Sequence, residues 1–312
     1  MISDIVRITP AVKDYEWGNS SFIPSLLGTE DDGKPKAELW MGAHKSGMCT
    51  LSDTGKSFRD FLDENPDFAG CKADDFPFLF KVLAIDKPLS IQCHPNKEQA
   101  EKGFSEGNVN YSDANEKAEM FYALSDCTLL CGFRKQPVEN EETKELFEYF
   151  NSLYPSDPAC SYAYKLNIIH LEEGEAIFLK PGIPHAYIKG NGIELMTNSD
   201  NVLRLGLTHK RVDSKELYKV MIQAAYEPDL LGSLEDNGGE HFFTPSDFKL
   251  TVMKDGFFFS KGEGVRMMIC TDGKAVLNED IVLEKGQVCA IAKDADVSVE
   301  VDGTVFCAST SV

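Results

Sequence analysis

The sequence predicts a mainly β protein, and three observations carry that reading. Short apolar runs recur between Gly, Asp and Asn turns, the clearest of them alternates with a period of two, and few stretches carry helix start signals. In Val297-Ser298-Val299-Glu300-Val301 a valine falls at every second residue. Successive strand side chains point to opposite faces, so this spacing predicts a half-buried strand. Leu250 to Met253, Val265 to Ile269, Val288 to Ile291 and Val305 to Cys307 read as strands too, and the last 70 or so residues are expected to form a small β-sandwich or barrel. Helix starts are legible at Ser57 before Phe58, Phe61 and Leu62, at Asn96 after Pro95, and at Asp213, where Glu216 three residues on has the spacing of a capping box. The segment Val138 to Tyr154 begins acidic and places Leu146, Phe150 and Leu153 on one helical face, which predicts a helix packed on the β structure.

Composition narrows the function classes. A chain of 312 residues, 42% hydrophobic and 10% aromatic, has room for about two domains with a sizeable core. Met1-Ile2-Ser3-Asp4-Ile5 lacks the basic, then apolar, start of a signal peptide, and the most apolar segment, Phe76 to Ile85, is interrupted by Lys81; a cytoplasmic location is expected. Nine cysteines, an odd number with no C-x-x-C pair, fit reduced core residues better than a disulfide framework or thiolate zinc site, and Cys127 and Cys131 are read as core. A net charge of −20 argues against nucleic acid or anionic membrane as a partner, since both require a basic face. A small anionic metabolite remains open to such a chain if a few cations and a metal reverse the potential locally.

Ser90-Ile91-Gln92-Cys93-His94-Pro95 is the most chemically informative segment. On a strand Gln92 and His94 face the same way and can grip one ligand, and a metal ion suits both. Glu119 in Lys117-Ala118-Glu119-Met120 and His185 in Pro184-His185-Ala186-Tyr187 are further candidate ligands. Catalytic zinc takes His nitrogen and carboxylate oxygen and keeps a position open. With Glu119 as the only anion among these four, such a site keeps net positive charge, as a Lewis acid requires. Singly, each residue fits an ordinary structural role, hydrogen-bonded or solvated, and spacing alone leaves both readings open.

Several segments together resemble the type I phosphomannose isomerases, also called mannose-6-phosphate isomerases. They are Tyr15-Glu16-Trp17-Gly18, Ala37-Glu38-Leu39-Trp40-Met41-Gly42-Ala43-His44, Phe76 to Leu83 running into Lys87 to Pro95, Lys117 to Met120, Leu130-Cys131-Gly132-Phe133-Arg134, Pro184 to Tyr187 and Ser199 to Thr208. They come in family order and cover roughly residues 15 to 220. The resemblance implies two cupin-like jelly-roll β-barrels or sandwiches with a short helical segment. The catalytic cupin domain is expected over 1–210, including a reduced helical segment near 138–154, with a helical connector and C-terminal cupin-like β-domain over 211–312. It implies one Zn²⁺ held by Gln92, His94, Glu119 and His185, and a catalytic role for Arg204. The chain also departs from the family pattern: Asn115-Glu116-Lys117-Ala118-Glu119-Met120 stands where relatives commonly carry N-H-K-P-E-M, and only about 50 residues separate Gly132-Phe133 from Pro184-His185, so the helical domain of longer relatives is expected to be reduced.

The implied reaction interconverts D-mannose 6-phosphate and D-fructose 6-phosphate through an enediol or enediolate. Zinc and a fixed cation suit that intermediate, and Arg204, always protonated, makes a poor base. Lys117 is a candidate base, with zinc-bound hydroxide and Glu38 as others. Ser90, Lys81 and Lys210 are candidate phosphate contacts, and Glu38 and Trp17 are further candidate substrate contacts. A monomer that binds only a small sugar phosphate is expected. The alternatives are a zinc cupin isomerase for another sugar phosphate and a catalytically silent sugar-binding cupin.

Overall fold

The structure is a computed structural model that describes residues 3–310. Its strands form two sheets, and the chain divides into two compact units, each assembled from separate stretches. One takes the described residues of 1–84, 193–198 and 231–312; the other takes 85–192 and 199–230.

The first unit holds a nine-stranded sheet. Its centre is three long antiparallel strands, Phe248–Ser260, Val297–Thr310 and Arg266–Leu277. The period-two reading is borne out: Val297, Val299 and Val301 are buried and join Met253, Met268, Leu283 and Cys289 in one core, while Glu300 is exposed. Burying each such aliphatic side chain stabilises the unit by about 1.5–3 kcal/mol. The first strand, Ile5–Thr9, joins this sheet by antiparallel pairing with Val288–Ile291, Ile5 opposite Ile291. The unit also contains the antiparallel run Ala11–Lys13, Glu38–Gly42 and Phe78–Ile85, with Glu38 opposite both Lys13 and Leu83. The predicted helix start at Ser57 is observed: its hydroxyl accepts from the Asp60 amide and opens Phe58–Glu64.

The second unit is organised by strand register. Ile91–Cys93 lies between Leu203–Gly206 and the beginning of His185–Thr197, with Gln92 opposite both Arg204 and His185. On its other side His185 is opposite Cys131 of Cys127–Phe133, which pairs in turn with Leu166–Leu171. Glu119–Ala123 pairs with Ala176–Leu179, Glu119 opposite Leu179, and neighbours the long His185–Thr197 strand in the sheet. Gly132 has φ +68°, and a Cβ there would meet the Tyr226 side chain at 2.5 Å, so only glycine fits this turn of the strand.

Three helices of this unit follow their sequence signals. Asn96 and Gln99 form a reciprocal capping box that starts Lys97–Ser105. Asp213 caps Ser214–Val220 through the Glu216 amide. Glu141–Leu153 forms inside the predicted 138–154 window, and Phe150, fully buried, packs with Ile91, Leu130 and Ala186 of the sheet. Together with the 3-10 turn Pro158–Tyr164 it makes up the helical structure between Phe133 and His185. All nine cysteines are free thiols, and all but Cys71 are buried, as a core role requires. Among the described residues no helix is long and apolar enough to cross a membrane.

Candidate metal centre

Strand register builds this centre. Residues directly opposite on neighbouring strands share a face, so Arg204, Gln92 and His185 form one row across three strands. His94, two residues beyond Gln92, points to that same face. Glu119 enters from the first position of its own strand. One nitrogen of His94, one of His185 and one oxygen of Glu119 lie within 4.8 Å of one another, and all three side chains are about 1% exposed. His94 Nε2 is 3.4 Å from Glu119 Oε1, and His185 Nε2 is 3.1 Å from Glu119 Oε2.

The histidine tautomers follow from their other contacts. His94 Nδ1 is 2.8 Å from the Asn201 carbonyl oxygen and His185 Nδ1 is 2.9 Å from that of Ile183. A carbonyl only accepts, so each Nδ1 carries its proton and, in the neutral ring, each Nε2 is a bare lone pair. His185 Nε2 thus faces a carboxylate oxygen acceptor to acceptor, and neither atom has a hydrogen-bond partner. Two buried acceptors in this relation call for a cation between them. The donor set, two imidazole Nε2 atoms and one carboxylate with Gln92 beside them, fits Zn²⁺ with a position left open, and carbonyl acceptors behind both rings are the usual support of metal-binding imidazoles.

Lys117 supplies one cation: its Nζ is 2.7 Å from Glu119 Oε1 and 3.5 Å from His94 Nε2. Burial, aided by that ammonium, pushes the His94 imidazole down to about 4. Burial acts to raise the Glu119 carboxyl, but the Lys117 ammonium beside it outweighs that and holds the group well below its usual range. The neutral His94 imidazole and the Glu119 carboxylate are therefore ready at neutral pH without deprotonation. Burial also lowers Arg204, which stays a cation near neutrality.

The other sequence-predicted residues are distributed as follows. Gln92, Ser90 and Arg204 are half-buried in the second unit, and Lys210 is exposed there. Trp17, Glu38 and Lys81 belong to the first unit. There Lys81 Nζ lies 2.8 Å from Glu194 and 3.7 Å from Glu38, and sits over the Trp40 ring at 4.9 Å, while the Trp40 indole donates to Glu38. Trp17 stacks on Tyr15 at 5.9 Å. The sequence reading missed Glu194, whose signal is a lone carboxylate in the apolar run Gly192-Ile193-Glu194-Leu195-Met196, and it missed Asn201, fully buried behind His94.

Comparison with known proteins agrees with the geometry. A family model described as phosphomannose isomerase type I, catalytic domain, matches residues 5–136. The mannose-6-phosphate isomerase of Salmonella typhimurium is 30% identical over 92% of this chain and 95% of its own length. The human mannose-6-phosphate isomerase is 33% identical over 70% of this chain and 73% of its own. Among solved structures, a mutant phosphomannose isomerase from Salmonella typhimurium superposes with a TM-score of 0.89 at 27% identity, covering 99% of this chain and all of the other. A mannose 6-phosphate isomerase described as holo and zinc-bound matches with a TM-score of 0.87 at 27% identity over the same shares. The fold is thus the expected cupin type. An enzyme fold matched along almost its whole length, with a metal-ready His/Glu/His cluster where the sequence motifs place it, identifies this chain as a member of the type I phosphomannose isomerase family.

Proposed function

We propose that the protein is a zinc-dependent aldose-ketose isomerase that interconverts D-mannose 6-phosphate and D-fructose 6-phosphate. The observation that carries this reading is the buried pair of facing acceptors, Glu119 Oε2 and His185 Nε2, in a cluster with His94. Full-length relatives named mannose-6-phosphate isomerase support the substrate. His94, Glu119 and His185 hold the ion, with Gln92 as the fourth, weak ligand. When bound, zinc supplies a Lewis acid that stabilises negative charge developing on the sugar oxygens.

The remaining work falls to the chain. The isomerisation removes a proton from the carbon beside the carbonyl and returns one to the neighbouring carbon, while a proton moves between the two oxygens. Arg204, fixed in the row with Gln92 and His185, holds the enediolate charge and helps protons move between oxygens. Lys117, once deprotonated, is the base in this reading, since its Nζ lies at the cluster itself, 2.7 Å from Glu119 Oε1 and 3.5 Å from His94 Nε2. Ser90 and Lys210 are assigned to the phosphate. The readings of Lys81, Glu38 and Trp17 as substrate contacts rest on sequence, and Lys81→Met tests the first through KM.

The test is turnover on a panel of aldose 6-phosphates, with ketose formation read by a coupled assay. Preference for mannose 6-phosphate over glucose 6-phosphate and other aldose phosphates is expected. Turnover of a different aldose phosphate alone would replace the substrate, and binding without turnover would favour a silent sugar-binding protein.

A further inference from the structure

We propose that Asn201 is a positioning residue for the metal centre, joining the two segments that deliver His94 and Glu119. This rests on the zinc reading given above. Asn201 is fully buried, and its two ends act on different ligands. Its backbone carbonyl accepts a hydrogen bond from His94 Nδ1 at 2.8 Å, which fixes the ring and turns Nε2 toward the cluster. Its side chain grips residues 112–115, the loop leading into Lys117 and Glu119. Oδ1 accepts from the Ser112 amide at 2.8 Å and the Asp113 amide at 3.4 Å. Nδ2 donates to the Asp113 carbonyl at 2.9 Å, to Asp113 Oδ1 at 3.1 Å and to the Asn115 carbonyl at 2.8 Å.

Asp113 completes the clamp. Its carboxylate also accepts from the Ser199 hydroxyl and the Asp200 amide, both at 2.9 Å, and from the Asn115 amide at 2.8 Å. The segment Ser199-Asp200-Asn201 is thereby bolted to the loop, and the loop continues to Lys117, whose amide bonds to the Pro95 carbonyl just beyond His94. His94 and Glu119 come from strands distant in sequence, and the Asn201 contacts close that gap with hydrogen bonds on both sides. This clamp gives the segment Asn115 to Glu119 a support that does not depend on a proline, which here is Ala118.

The experiment measures zinc affinity by chelator competition and the visible spectrum of the cobalt-substituted protein, alongside the melting temperature of the chelated form. Asn201→Ala is expected to weaken zinc binding 10- to 100-fold and to change the cobalt spectrum. Ser199→Ala and Asp113→Asn, which leave the Asn201 side chain on the Asn115 carbonyl and remove only part of the clamp, are expected to weaken it less, and they carry the test if Asn201→Ala fails to fold. Asn140→Ala removes a helix cap with no hydrogen bond to His94 or to residues 112–115 and should leave affinity and spectrum as in the wild type. A lower melting temperature with unchanged zinc affinity and cobalt spectrum in all three clamp variants would show a merely structural role and overturn the proposal. Wild-type protein that takes up no zinc or cobalt at this cluster would overturn the zinc reading, and the proposal with it.

Discussion

Acidification of the metal-free protein should expose the cost of burying a neutral His94. The folded-state imidazole titrates at about 4 instead of the usual 6.5, because burial and Lys117 disfavour its cation. The sign follows from linkage: below about 6.5 the unfolded chain binds a proton that the folded chain refuses, so stability is fully present above that pH and is lost as pH falls toward 4. The full loss is about 3 kcal/mol at about 1.4 kcal/mol per pH unit, of which about 2 kcal/mol is gone by pH 5. Glu119, held below its ordinary range, also loses its contribution in acid, but only as pH falls below the usual carboxylate value of 4.5, outside the pH 5–7 window. Urea unfolding of chelator-treated wild type and of His94→Asn at several pH values from 7.5 to 5 reads the difference. The substitution shifts stability by a constant, and the informative quantity is the slope. Wild type should lose about 2 kcal/mol more than the variant across that window. Parallel slopes would refute the claim that His94 is held neutral by burial.

Three further outcomes test the proposed site roles and the core beneath them. Lys117→Met should leave zinc stoichiometry intact and lower kcat by orders of magnitude; unchanged kcat in a pre-steady-state and steady-state assay removes Lys117 from the mechanism. Lys210→Ala should raise KM for the sugar phosphate with little change in kcat, and an unaltered KM argues against a phosphate role. Phe150→Ala empties a fully buried site against Ile91 and Ala186 and should destabilise the fold by about 3–5 kcal/mol in urea titration; a loss under 1 kcal/mol would mean the helix Glu141–Leu153 is not a structural part of that core.

Much of this was legible because the signals are local. Capping residues Ser57, Asn96 and Asp213 mark helix starts within a few residues, and the alternation at Val297, Val299 and Val301 encodes one buried face. The Gln92–His94 pairing is legible for the same reason, since period two fixes a shared face whatever the partner strand. What brings Glu119 and His185 to that face is register between strands far apart in sequence, and no local pattern encodes it; the family motifs supplied that link. The pairing of Ile5–Thr9 with Val288–Ile291 is another case, since an apolar strand does not name its neighbour. Lys81 shows the opposite limit. In sequence it looks like an interruption of an apolar segment, yet it is 6% exposed, and its burial is explained by Glu38 and Glu194, which converge on it from other strands. Asn201 escaped notice because its contact to His94 is made by a backbone carbonyl, which carries no chemical signature in a one-letter code, and because its side chain's partners, residues 112–115, lie far from it in sequence.

Conversion of mannose 6-phosphate to fructose 6-phosphate, followed before chelation, after chelation and after zinc is restored, tests the central claim most directly. Activity that disappears with the metal and returns with it, at one zinc per chain, is the predicted result. A folded protein with no activity in any of the three states, or with full activity after complete removal of metal, would contradict it.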